Sequence, residues 1–305
     1  MKVSSLISIF KHMWKLNADE IAKIYKRFTS RTPLVIPNCS TLPPVTDVLD
    51  QAYVFVLSTG RCGTLLMTKI LSRSSDLCVQ HNPKPELEYA SAVLHRDNLG
   101  VEAQMLAMLA ARFDIFFLDC YLRGKTYVET NNRISLFAPG LSRLLPKAKF
   151  IHLVRNPADF VRSGMRRNYY KQGFIQHQRL DGSQNLCWQS FSQLEKIAWE
   201  WNEINLKIED FKASTNTDRI LTIKSEDLYE KKQTISQLFD FLGVSNPFYG
   251  VKQEQSLREI LANPVNAQKA GKFPRYRDWS ERDKHALWRI ATLAPKYGYG
   301  SANSA

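Results

Sequence analysis

Seven consecutive residues, Ser58-Thr59-Gly60-Arg61-Cys62-Gly63-Thr64, combine small polar side chains, two glycines and one permanent cation. Such a stretch can aim several backbone N–H groups at one anion when it joins a strand to a helix. A helix opens with unpartnered N–H donors and with the positive end of its dipole. The flanking residues meet that requirement. Tyr53-Val54-Phe55-Val56-Leu57 is an apolar, β-rich run, and Leu65, Leu66, Ile70 and Leu71 recur at helical spacing after the loop. The spacing excludes two common phosphate cradles. A triphosphate loop needs Gly-Lys-Ser/Thr after its first glycine and a four-residue gap, but Gly60 and Gly63 are too close and no Lys precedes Thr64. A dinucleotide fingerprint needs a third glycine, which is missing. A short loop with a single Arg suits a phosphate or phosphosulfate better than a triphosphate with its magnesium.

A second strand–loop–helix unit follows. Lys149-Phe150-Ile151-His152-Leu153-Val154 reads as a buried parallel strand, then Arg155-Asn156-Pro157, then a helix through Ser163. Asn156 can cap that helix and Pro157 suits its first turn. Ligands of open parallel sheets bind outside the carboxyl ends of the strands. An Arg placed directly after an apolar strand is partly buried and needs an anion there. Residues 141 to 179 hold nine Lys or Arg and a single acid, Asp159.

Together these stretches resemble the sulfotransferases that use 3′-phosphoadenosine 5′-phosphosulfate. Ser58–Thr64 is similar to the family's 5′-phosphosulfate loop, and Leu153-Val154-Arg155-Asn156-Pro157 through Ser163 to its 3′-phosphate motif. Weaker similarity lies in Thr222–Leu228, in Phe241-Leu242-Gly243-Val244, and in Gly271-Lys272-Phe273-Pro274-Arg275-Tyr276 with Asp278-Trp279. The resemblance implies an α/β fold, a central parallel β-sheet flanked by helices in a P-loop NTPase-like architecture. It implies a sulfuryl donor held by Thr59, Gly60, Arg61, Cys62, Gly63, Thr64, Arg155, Ser163 and Lys272, with no metal. The family usually has Ser where this chain has Cys62, and often Thr where it has Leu65. A thiol is a weak donor, so the loop leans on its N–H groups, Arg61 and Thr64. A thiol at a helix N-terminus beside Arg61 also raises the question of a nucleophile.

Sulfuryl transfer is mainly in-line positioning and charge stabilisation on the leaving oxygen. Arg61, always ionised, is the candidate for that charge. An acceptor hydroxyl also needs a base. The loop at 81–88 follows a short strand, Leu77-Cys78-Val79-Gln80, and offers His81, Glu86 and Glu88. Glu86 ranks first, His81 second and Glu129, at the end of the strand Thr126–Glu129, third. The Tyr169–Leu186 stretch, with Tyr169, Tyr170 and Phe174, is the expected acceptor pocket, for a small-molecule, glycan or lipid acceptor. Two other classes stay open. One is a kinase-like nucleotide-dependent transferase, which would need a Walker Lys and magnesium ligands. The other is a non-catalytic module for anionic nucleotides.

Composition bounds the rest. The chain has 305 residues, is 44% hydrophobic and carries a formal charge of +13. Such a charge implies acidic partners. No nucleic-acid module is visible, and a multiply charged donor gives the basic residues a local reason. The five cysteines, Cys39, Cys62, Cys78, Cys120 and Cys187, are scattered and form no C-x-x-C pair, as fits a reducing compartment and a cytoplasmic protein. No run reaches the roughly 18 apolar residues of a membrane span, so the expected relatives are soluble, bacterial-type members and not the anchored Golgi kind. Residues 1–32 read as a basic amphipathic helical segment, suited to the protein's own core, a homodimer partner or peripheral membrane contact. Residues 33–48 read as a connector and 49–305 as a single catalytic domain. Helices are expected over 99–113, 138–145 and 193–211, and a strand over Ile220–Ile223. His152, Trp199 and Trp201 read as core.

Overall fold

The computed structural model describes residues 43–171, 179–262 and 272–300. The amphipathic reading of 1–32 and most of the connector lie outside them. A short helix α1 (Val45–Leu49) leads into β1 (Tyr53–Leu57), and the Tyr53 hydroxyl donates to Val48 O at 2.5 Å. The other strands are β2 (Leu77–Gln80), β3 (Thr126–Glu129), β4 (Lys149–Val154) and β5 (Ile220–Lys224). All pair in parallel, in the order β2-β3-β1-β4-β5. The fold is α/β, as expected.

β1 shows why its sequence is apolar without alternation. Tyr53, Phe55 and Leu57 enter one core with Tyr127 and Phe150, while Val54 and Val56 enter another with Ile151, Leu153 and Ile223. Both faces are covered, so every residue of the strand is buried. The first face is packed by α4 (Val101–Asp114), α5 (Ala138–Leu144) and α7 (Gln193–Ala213), through residues such as Met108, Leu141 and Ile208. The second is packed by α2 (Thr64–Leu71), α9 (Lys232–Leu242) and α10 (Val251–Ala262). A third core joins α6 (Pro157–Met165) to α7 and to α11 (Glu281–Ile290) around Phe160, Trp201 and Leu287. Trp201 is fully buried and Trp199 packs partly buried on the first core. His152 is also sealed. Its Nε2 lies 2.9 Å from Asn205 Oδ1, and burial pushes its pKa down to about 4.

Helical elements beyond those expected include α3 (Glu88–Asp97) and a wide helical turn over Ile115–Cys120. α8 (Ser225–Glu230) begins directly after β5. The chain leaves β1 toward β3 and β2, and leaves β4 toward β5. Such opposed exits open a crevice between the carboxyl ends of the two neighbouring strands. The loops Ser58–Gly63 and Arg155–Asn156 both emerge there.

Candidate active site

The first loop is fastened at its base. Ser58 N–H donates to Ser135 Oγ at 2.8 Å, and that hydroxyl donates back to Ser58 O at 3.0 Å. Gly60 N–H then donates to Ser58 Oγ at 3.1 Å. The turn passes through three left-handed residues, Gly60 (φ 76°), Arg61 (φ 56°) and Gly63 (φ 86°). A Cβ on Gly60 would also meet Asn132 Cγ at 3.1 Å, so both conformation and space call for glycine. Turns of this kind gather N–H groups on one side, forming an anion-binding concavity. Gly63 opens α2. The first bond closed by that helix runs from Met67 N–H to Gly63 O, which leaves the N–H groups of Thr64, Leu65 and Leu66 without a helical acceptor. These three residues line a cleft of about 380 Å³.

The second loop locks onto the first. Arg155 Nη1 donates to Arg61 O at 2.6 Å, and Arg155 Nη2 lies 3.7 Å from Asp159. Arg155 O accepts from the Trp201 indole at 3.0 Å. Asn156 N–H donates to Glu226 at 3.0 Å, and Tyr299 donates to the other oxygen of that carboxylate at 2.7 Å. Asn156 Oδ1 caps α6 through Ala158 N–H at 2.9 Å. The Thr222–Leu228 patch thus pins the second loop through Glu226. Arg61 Nε reaches Ser163 Oγ at 3.2 Å. Arg155, Arg162, Ser163, Arg166 and Arg179 line the same cleft as Gly60, Arg61, Gly63 and Thr64. Burial, then the neighbouring Arg167, Arg155 and Arg179, lowers the Arg61 pKa, and burial followed by Arg166 does the same for Arg162. Crowded, partly desolvated guanidinium groups oppose one another's charge, and an entering anion relieves them.

Thr59 and Cys62 do not face the cleft. They are 1% and 0% exposed, and their Oγ1 and Sγ atoms lie 3.1 Å apart behind the loop. The Cys62 thiol donates to Gly60 O at 3.0 Å. Burial pushes this thiol up to about 11, the reverse of an activated nucleophile. Its role is to tie the loop together. Cys62→Ser should therefore keep donor binding, and native Cys62 should resist iodoacetamide at neutral pH when each cysteine is followed by mass spectrometry. Rapid alkylation at Cys62 would contradict this reading.

The four carboxylate and imidazole candidates separate clearly. His81 lines the cleft, with Nδ1 at 2.9 Å from Thr130 Oγ1. Burial lowers its pKa and outweighs the raising effects of Thr130 and Glu86, so the ring is neutral at neutral pH. Glu86 is not among the residues lining the cleft. It pairs with Lys84, whose hydrogen bond holds its carboxyl low, and it borders a separate groove with Tyr89 and Ala107. Glu88 pairs with Arg133. Glu129 is fully buried and takes four donors: Arg112 Nε (2.8 Å) and Nη2 (2.9 Å), Tyr127 OH (2.8 Å) and Asn131 Nδ2 (3.1 Å). It is a structural carboxylate. Glu129→Ala strands the buried Arg112, and should cost about 3–5 kcal/mol in urea unfolding. A loss under about 1 kcal/mol, the range of an exposed pair, would show that the ion pair is not buried in solution.

Lys272 is exposed and does not line the cleft, although Pro274 O, two residues on, accepts from Arg162 Nε at 3.1 Å. Tyr169 and Tyr170 are packed and do not form an open pocket. The Arg179 guanidinium sits 3.4 Å over the Tyr169 ring, and Tyr170 donates to Leu180 O at 2.9 Å. Phe174 lies outside the described residues. Asn82, Asn132, Arg179 and Tyr229 line the cleft and were not anticipated. Asn132 had a readable signal, since it follows the carboxyl end of β3. Among the described residues, no group of three or more His, Cys, Asp or Glu could hold a metal ion, and no helix is long and apolar enough to cross a membrane.

Residues 53–247 match the model of a sulfotransferase family. Among solved structures, the chain is similar to the sulfotransferase STF1 from Mycobacterium tuberculosis H37Rv, at 12% identity and a TM-score of 0.50, covering 81% of this chain and 78% of that one. It is also similar to the sulfotransferase STF9 from Mycobacterium avium, at 12% identity and a TM-score of 0.50, covering 84% and 80%. A further match is the sulfotransferase domain from the Synechococcus PCC 7002 olefin synthase, at 16% identity and a TM-score of 0.46, covering 87% and 98%. No curated protein matches the chain.

Proposed function

We propose that this chain, which belongs to the sulfotransferase family, moves a sulfuryl group from 3′-phosphoadenosine 5′-phosphosulfate to a hydroxyl or amine, releasing 3′-phosphoadenosine 5′-phosphate. The observation that carries the choice of donor is the pair of anion-suited loops at neighbouring strand ends, bridged by Arg155 to Arg61 O at 2.6 Å. A donor with phosphate at both ends needs two such loops at a fixed separation. AMP or ATP needs only one of them.

The N–H groups of Thr64, Leu65 and Leu66, with Arg61, would hold the 5′-phosphosulfate. Arg155 and Ser163, flanked by Arg162 and Arg166, would hold the 3′-phosphate. Arg61 would carry charge developing on the leaving oxygen, as an electrostatic donor and not as an acid. His81, neutral and bordering the cleft, would take the acceptor's proton as the oxygen attacks sulfur in line. The acceptor class stays a small molecule, glycan or lipid, with no nucleic acid. We place the reaction in the cytoplasm, a reading supported by the scattered cysteines. Membrane-surface or homodimer contact through residues 1–32 remains part of the proposal.

The test is binding. Without magnesium, 3′-phosphoadenosine 5′-phosphate should bind far better than AMP or ATP in calorimetry. Arg155→Ala should weaken it by about 1.5–3 kcal/mol, the value of a hydrogen bond to a charged group. Equal affinity for AMP would remove the 3′-phosphate site from the proposal.

A further inference from the structure

Behind His81 runs a short chain of hydroxyl groups. His81 Nδ1 lies 2.9 Å from Thr130 Oγ1, and Thr130 Oγ1 lies 2.7 Å from Thr68 Oγ1. Thr68 Oγ1 donates to Thr64 O at 2.8 Å, one turn back along α2. Each threonine hydroxyl has one proton to give. The Thr68 proton is committed to Thr64 O, so the contact between the two hydroxyls must carry the Thr130 proton. Thr130 Oγ1 then has only lone pairs to offer His81, and the ring must donate from Nδ1. The opposite assignment, with Thr130 donating to His81, leaves two oxygens 2.7 Å apart with no hydrogen between them. If Thr130 Oγ1 donates instead to Gln80 O, at 3.4 Å, the Thr68 proton must serve the contact between the two hydroxyls in place of Thr64 O, and Thr130 still accepts from the ring.

We propose that Thr130 and Thr68 are positioning residues that hold His81 in its Nδ1–H tautomer, leaving Nε2 as the unprotonated nitrogen available to an acceptor hydroxyl. The proposal rests on the reading of His81 as the base. Among the described residues the bonding partner of the ring is Thr130, through its hydroxyl at Nδ1 and through its backbone, which favours the ring as a donor. The relay also couples the base to the donor loop. Thr64, whose carbonyl ends the chain of bonds, belongs to the first turn of α2, the turn that faces the proposed phosphosulfate. One rigid turn of helix would therefore orient both the donor's N–H cradle and the acceptor's proton sink.

The groups that can perturb His81 are few. Glu86 acts on it from the same loop and favours the charged ring. Arg61, Arg155, Arg162, Arg166, Arg179, Asp159 and Tyr229 border the cleft it lines. None of these charges chooses between the two neutral tautomers through a direct bond, whereas Thr130 does.

The experiment reads the tautomer directly, in the substrate-free full-length protein. With ¹⁵N-histidine labelling, the signals of six histidines are followed by NMR, and His81 is assigned from its loss in His81→Asn. The native protein should show protonated Nδ1 and unprotonated Nε2. Thr130→Val removes the acceptor and should release the preference, while Thr130→Ser should restore it. Thr68→Val is the sharper case. It does not touch His81, yet it frees the Thr130 proton to point at Nδ1 and should shift the ring toward the Nε2–H form. Transfer by Thr130→Val should fall several-fold, about the value of one neutral hydrogen bond, with recovery in Thr130→Ser. A native Nε2–H tautomer, or a Thr68→Val ring unchanged from native, overturns the relay. The NMR result does not require turnover, so a failure of the relay and a failure of His81 as base are read separately.

Discussion

His81→Asn should cut turnover on a hydroxyl acceptor by on the order of a hundredfold or more, the usual contribution of a positioned general base. Glu86→Gln should leave the rate near native. The contrast follows from where the two side chains sit. Both come from the loop after β2, but His81 lines the cleft and Glu86 turns to Lys84. Affinity for 3′-phosphoadenosine 5′-phosphate should change little in either variant, because the base would touch the acceptor and not the phosphates. The pH profile supplies a second check. The base works unprotonated, and burial lowers the His81 pKa below the ordinary histidine value. Turnover should therefore hold at neutral pH and fall on the acid side, with its midpoint shifted down from the ordinary histidine value. Loss of turnover in Glu86→Gln with an active His81→Asn would return the role to the carboxylate.

Arg61→Ala should impair transfer to every acceptor, by about 10²–10³-fold if Arg61 carries leaving-group charge as a single oxyanion donor does. The loss should appear in kcat as well as in binding. Arg61 occupies a left-handed conformation at φ 56°, and an alanine there retains a cost of about 1–2 kcal/mol. Arg61→Gly removes the side chain and that cost together. Equal loss in both variants assigns the defect to the guanidinium, while recovery in the glycine variant would assign it to the loop's backbone. Arg61 also touches Ser163 at 3.2 Å. Ser163→Ala should consequently weaken the 3′-phosphate side without reproducing the loss of turnover.

The parts that were legible are those whose physics is local. A strand buried on both faces is predominantly apolar, so β1 and β4 announce themselves, with His152 the buried polar exception in β4. A loop that turns through Gly60 and Gly63 into a helix announces an anion cradle, and Asn156-Pro157 announces the start of α6. Parallel pairing then brings the two loops to adjacent strand ends. The family resemblance at 58–64 and 153–163 agrees with that placement. That the Cys62 side chain lies buried behind the loop is not legible, since nothing in its neighbours says which face of a turn a side chain takes.

What only the tertiary structure decided is which titratable groups are spoken for. The partner that occupies Glu129 is Arg112, 17 residues away, and the partner of Glu88 is Arg133, 45 residues away. The hydroxyl pair behind His81 joins residues 62 positions apart, on a helix and at the end of a neighbouring strand. Carboxylates, imidazoles and hydroxyls look alike along a chain. Whether one is a base, a buried ion pair or a link in a relay depends on donors delivered by other elements, and only the packed sheet and its helices bring those donors within 3 Å.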